Sequence, residues 1–141
     1  MAAYLFDTSA LSEVLRPQPD DEYVAWLTRL PREEQFTSTV VVGELFSGAL
    51  RSRASAKWLR RVEEEILPAV TALPFDLECA REYGRVRAEL MDAGTPIGDA
   101  DAMIAATALR HGLEVVTANV RHFRVVAGLS VRPVGASGPG R

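Results

Sequence analysis

The chain has one cysteine, one lysine and two histidines among its 141 residues. The lone Cys79 excludes an internal disulfide and fits a reducing cytoplasm. It has no cysteine partner and no histidine nearby, so it reads as a small core filler. So few Cys and His residues also exclude a zinc ligand set. No apolar stretch approaches the ~20 residues that a membrane span needs. No basic segment followed by an apolar one opens the chain, so no signal peptide is expected. The expected location is therefore cytoplasmic, with no membrane partner. The scarcity of lysine leaves fifteen Arg and Lys57 as the basic side chains. Arginine is the better planar fork for phosphates, although such a bias also follows from genome composition.

What is present describes one ordinary globular domain. The length allows a single sizeable core. Apolar residues make up 48% and charged residues 25%, as in soluble proteins generally. The formal net charge of −3 argues weakly against a nucleic-acid partner. That number misleads if several acids belong to one metal site. Without Asp7, Glu44, Asp99 and Asp101, 15 acids stand against 16 bases.

The stretch Tyr4-Leu5-Phe6-Asp7 is an unbroken apolar run ending in a carboxylate. It suits a strand buried on both faces, as in the middle of a parallel sheet. Thr8-Ser9 then opens a short helix, Ser9 to Leu15, stopped by Pro17 and Pro19. A second helix runs from the acidic Asp20-Asp21-Glu22 through Trp26 to Leu30, where Pro31 ends it. Phe36-Thr37-Ser38 is a strand candidate, followed by a helix over 40–51 and another over 54–67. Val70 to Leu73 reads as a strand, and Asp76 caps a long helix that Gly94 ends. Asp99 opens an apolar helix to His111, closed by Gly112. Glu114 to Thr117 is a buried strand, Asn119 to Phe123 a turn or short helix, and Ser130 to Arg132 an edge strand. Strands alternating with helices predict an α/β fold with a mainly parallel central sheet flanked by helices. The domain should span 1–134, with 135–141 a disordered tail that has nothing apolar to bury.

Three acids stand where the pattern wants an apolar or neutral residue. Asp7 ends the first strand, and in open α/β sheets ligands sit beyond the carboxyl ends of strands. Its alternative role is to end the strand and cap the next helix, although Ser9 is able to cap without it. Glu44 interrupts the run Thr39-Val40-Val41-Val42-Gly43-Glu44-Leu45-Phe46. Asp101 shares a helical stripe with Ile104, Ala105 and Ala108, so its carboxylate points at or beside the core. None has an evident Arg or Lys partner nearby in sequence. Clustered carboxylates are hard oxygen ligands for Mg²⁺ or Mn²⁺, which activate water and clamp a phosphodiester during hydrolysis. Asp99 reads either as the cap of its helix or as an outer ligand. Thr117 and Asn119 follow a buried strand, and Asn119 either orients water or metal or stabilises a turn. His111 fits a helix C-terminus, and His122 reads as a surface residue. Arg53, Lys57, Arg60 and Arg61 form a basic stripe, a solvated face or a track for an RNA backbone.

Four segments in this order resemble the PIN-domain family, and among it the VapC-type toxins of toxin–antitoxin pairs. They are Tyr4-Leu5-Phe6-Asp7-Thr8-Ser9, Gly43-Glu44-Leu45, Pro96-Ile97-Gly98-Asp99-Ala100-Asp101-Ala102-Met103-Ile104-Ala105-Ala106, and Val116-Thr117-Ala118-Asn119-Val120-Arg121-His122-Phe123. The resemblance implies that Asp7, Glu44 and Asp101 are the principal acids and Asn119 the fourth, more variable site position. Two residues depart from the family's pattern: His122, where an Asp often precedes the Phe, and Val41, where a Ser or Thr often begins the helix before the Glu. The resemblance further implies an Mg²⁺- or Mn²⁺-dependent endoribonuclease toxin that cuts structured RNA, such as tRNA or rRNA. A homodimer is implied too, inhibited by a VapB-like antitoxin in a heterotetramer or larger assembly. The rivals are weaker. A receiver domain needs a Lys near its late strands, and Lys57 lies in a middle helix. Haloacid-dehalogenase-like phosphatases need an Asp where Ser9 stands. A PIN-like module that binds RNA or protein without cutting is opposed by the three intact acids.

Overall fold

Tyr4, Leu5 and Phe6 form strand β1 (Tyr4–Phe6), and all three are buried. The computed structural model describes residues 2–135, so all of the expected disordered tail except Gly135 lies outside the described residues. β1 is the middle of a five-stranded, wholly parallel sheet. The other strands are β2 (Gln35–Ser38), β3 (Thr71–Leu73), β4 (Glu114–Thr117) and β5 (Val131–Pro133), in the order β3-β2-β1-β4-β5. The chain builds outward from β1 through β2 to β3, then crosses back to place β4 on the other side of β1. The switch point therefore lies between β1 and β4, where a crevice opens at the carboxyl ends. The register sets Leu5 beside Val115 and Phe6 beside Val116, and the Asp7 N–H donates to the Val116 carbonyl at 3.1 Å.

Helices α1 (Thr8–Glu13) and α2 (Asp21–Arg29) follow β1. The loop between them is tied by Glu13, which is buried and accepts from Arg16 and from the Asp20 N–H at 2.9 Å. Trp26 of α2 lies over the sheet, its ring 5.0 Å from that of Tyr4 and 6.1 Å from that of Phe6. The buried Tyr23 hydroxyl donates to the Ala10 carbonyl at 2.8 Å and joins α2 to α1.

Helix α3 (Thr39–Arg51) is capped by Ser38, whose hydroxyl accepts from the Val40 and Val41 N–H groups. Capping thus needs no hydroxyl at 41, and Val41 is fully buried instead. The single helix expected over 54–67 is three pieces: α4 (Ser55–Arg61), a wider turn over Val62–Ile66 and a tight turn over Leu67–Ala69. The Leu67 N–H reaches back to Val62, and Pro68, lacking an N–H, ends the ladder. α5 (Leu77–Asp92) packs along α6 (Asp99–His111). Gly112 closes α6 at φ 66°, a left-handed conformation that suits glycine. α7 (Val120–Arg124) connects β4 to β5. Among the described residues no helix is long and apolar enough to cross a membrane.

Candidate active site

Asp7 emerges from β1 beside the end of β4, and only 3% of it is exposed. One carboxylate oxygen accepts from the Ser9 hydroxyl at 2.7 Å and from the Ala10 N–H at 2.9 Å. The other accepts from the Thr117 hydroxyl at 2.5 Å. Asp7 is thus the N-cap of α1, and Ser9 does not cap. The Ser9 hydroxyl instead accepts from the Ala118 N–H at 2.9 Å and stitches α1 to the end of β4. Thr117 in turn accepts from the Asn119 N–H at 2.8 Å. A cap alone needs neither Thr117 nor this burial. Burial pushes the Asp7 carboxyl above the usual range, outweighing the Thr117, Ser9 and Ala10 hydrogen bonds, and the Asp101 charge pushes the same way.

Asp101 stands near the start of α6 with its side chain 26% exposed. Ile104, Ala105 and Ala108 of its stripe are buried, so the carboxylate sits at the core's margin, as the spacing predicts. One oxygen accepts from His122 Nδ1 at 3.1 Å. His122 is a surface residue, as expected, and its contact with Asp101 is not visible in the sequence. The nearest signal is its position one turn into the segment after Thr117. Glu44 lies on the exposed side of α3, between the buried Val41 and Leu45. The Thr8 hydroxyl donates to it, which links Glu44 to the turn that carries Asp7. Thr8 was missed, although it adjoins Asp7. Beside this pair an apolar groove of about 420 Å³ opens, lined by Thr8, Leu15, Leu45, Ala49 and Trp58.

Asp99 does not cap α6. Gly98 takes the N-cap position and Asp99 is the first helical residue. Its carboxylate is exposed and turns to α5, accepting from the Tyr83 hydroxyl at 3.3 Å and lying 3.5 Å from Arg87. Asn119 is exposed and precedes α7, with no capping bond from its side chain. Of the basic stripe, Arg53, Lys57 and Arg60 are exposed. Arg61 is engaged by neighbours at the surface: it forks onto Glu65 at 2.8 and 3.0 Å and donates to the Leu15 carbonyl at 3.2 Å.

The donors available to a metal are hard oxygens. The charge of Asp101 adds to the burial that disfavours ionised Asp7, and neither acid has an Arg or Lys ion pair among the described residues. No three His, Cys, Asp or Glu side chains among the described residues stand close enough together to hold one ion. Mg²⁺ does not require three, since it keeps several waters and binds through one or two carboxylates. The pair fits such a cation in charge and donor type.

The sequence pattern of the PIN domain matches residues 4–129. The chain is 36% identical over 132 residues to the VapC ribonuclease Y4jK of Sinorhizobium fredii, covering 90% of this chain and 94% of that one. It is 32% identical over 131 residues to a tRNA(fMet)-specific endonuclease VapC of Salmonella typhimurium, covering 93% and 97%. The DNA-bound VapBC structure of Salmonella typhimurium superposes with a TM-score of 0.86 at 32% identity, covering 94% of this chain and 98% of that one. With the fold, the order of segments and nearly the full length in common, this chain belongs to the PIN-domain family.

Proposed function

We propose that the protein is a VapC-type toxin, an endoribonuclease that hydrolyses phosphodiester bonds in structured RNA, tRNA or rRNA, with Mg²⁺ or Mn²⁺. One observation carries the reading: in a chain that matches the PIN domain, a buried carboxylate held by three hydrogen bonds, with no Arg or Lys ion pair among the described residues, stands at the carboxyl end of the central strand. A buried acid held so is costly unless a cation joins it. Asp7 and Asp101 would hold the ion, with Glu44 at the rim through Thr8 and Asn119 beside the Thr117 anchor. When bound, the ion supplies an activated water and neutralises charge on the phosphodiester.

The chain's own residues do the positioning. Ser9, Ala10 and Thr117 fix both oxygens of Asp7, so no reorganisation is needed when the site fills. Arg53, Lys57 and Arg60 offer exposed positive charge to an RNA backbone, while Arg61 stays with Glu65. Asp99 belongs at most to an outer position, since Tyr83 and Arg87 engage it. A homodimer inhibited by a VapB-like antitoxin, as a heterotetramer or larger assembly, completes the reading; the likeness to a VapBC structure supports the VapB-like partner.

The test is incubation of the purified protein with total tRNA and rRNA in Mg²⁺, in excess chelator, and as the Asp7→Asn variant. Cleavage is expected only for the native protein with metal. Cutting that persists in chelator, or in Asp7→Asn, contradicts the proposal.

A further inference from the structure

Asp101 takes its described hydrogen bond from one side chain, His122. We infer that His122 is a positioning residue that fixes Asp101 for cation binding. The inference rests on the function proposed above and adds a residue to that site. An ionised carboxylate only accepts hydrogen bonds, so Nδ1 carries the hydrogen in this contact. The bond engages one oxygen of Asp101 and leaves the other to the cation.

The mount of the imidazole is anchored although the ring itself is 58% exposed. Val120, Phe123 and Val126 on either side are buried. The His122 N–H donates to the Asn119 carbonyl at 3.1 Å, and the Asn119 N–H is held by Thr117. The end of β4 and the turn of α7 therefore deliver two contacts to the two acids: Thr117 to Asp7, and His122 to Asp101. A partly exposed carboxylate without such a partner would sample several rotamers, and ordering it would weaken cation binding. Groups that orient a ligand in this way typically change metal affinity 10- to 100-fold when removed.

The experiment reads Mn²⁺ affinity from the electron paramagnetic resonance signal of free Mn²⁺, without RNA. His122→Ala should weaken binding ~10-fold. In His122→Asn the side-chain N–H takes the place of Nδ1–H and should restore affinity to within about threefold of native. In His122→Gln the amide takes the place of the other ring nitrogen and should not restore it. Melting temperatures should stay close to native, as the ring is more than half exposed. Unchanged affinity in His122→Ala, failure of Asn to rescue, or equal rescue by Asn and Gln overturns the inference. If the native protein takes up Mn²⁺ and Asp7→Asn does not, such a result defeats the role of His122 alone. If the native protein takes up no Mn²⁺, this inference and the metal-dependent reading fall together.

Discussion

Replacing Asp7 by Asn in the metal-free protein should stabilise it at neutral pH while removing cleavage. Burial disfavours the ionised carboxylate by more than its three hydrogen bonds favour it. Removing the buried ion relieves a penalty of several kcal/mol, about 5. Against this, three charge-assisted hydrogen bonds become neutral ones, at a loss of about 1 kcal/mol or slightly more each. The amide oxygen still accepts from Ser9 and Ala10. The amide N–H then donates to Thr117, whose own hydrogen turns to the Ser9 oxygen 3.4 Å away. The net gain is about 1–2 kcal/mol, or roughly 3–8 °C in melting temperature for a chain of this size.

The sign with pH follows from the raised folded-state pKa. Stability is fully present below the unfolded carboxyl value near ~3.9 and is lost as pH rises through the folded value. Asn has no such dependence, so the gap between variant and native protein should open as pH rises from 4 to 8. Melting both proteins in chelator across that range measures it. A variant that melts lower than native at pH 7, or a gap that does not change with pH, refutes the reasoning. Added Mg²⁺ should close the gap from the native side, by ~2.7 kcal/mol at a hundredfold excess over its dissociation constant.

Asp101→Asn should slow RNA cleavage about 100-fold or more, a loss of a few kcal/mol. Asp99→Asn should stay within about threefold, because Asp99 is exposed and turned to α5; equal loss in both would make Asp99 a ligand. Thr117→Val removes the donor to Asp7 and the acceptor of the Asn119 N–H, and should cost about 1–3 kcal/mol in urea unfolding at pH 7. With Thr117 gone the Asp7 pKa moves further up, so part of that loss should fade as pH falls through the raised Asp7 range, before the ordinary carboxyl value is reached. Gly135→Ala should lower the melting temperature, because Gly135 has φ 72° and a Cβ there would meet the Asp20 carboxyl at 2.8 Å; the left-handed strain alone is about 1–2 kcal/mol.

The alternation of strands and helices was legible because each element carries its own period and its own stop. Strand β1 needed only three apolar residues before an acid, and Pro31, Gly94 and Gly112 marked ends that the structure keeps. The break after α4 was not legible: Val62 and Ile66 suit one continuous apolar stripe, and the widened turn shows only in which carbonyl the Leu67 N–H reaches. The acids stood out as polar residues in apolar company. Two of their partners did not, since Thr117 lies far along the chain from Asp7 and His122 from Asp101, and Thr117 meets Asp7 only through the β1–β4 register. In the sequence each cap is open between two readings. Ser9 is a competent cap by type, but Ala118 and Asp7 claim its hydroxyl, while at α6 the cap falls to Gly98 and frees Asp99 for Arg87.

The central claim, that Asp7 and Asp101 share one divalent cation at the β1–β4 switch point, is tested most directly by anomalous diffraction from crystals soaked in Mn²⁺. A peak in contact with carboxylate oxygens of both Asp7 and Asp101 is the result expected. No peak at the switch point, or a peak held by Asp99 or Glu44 without Asp7, contradicts it.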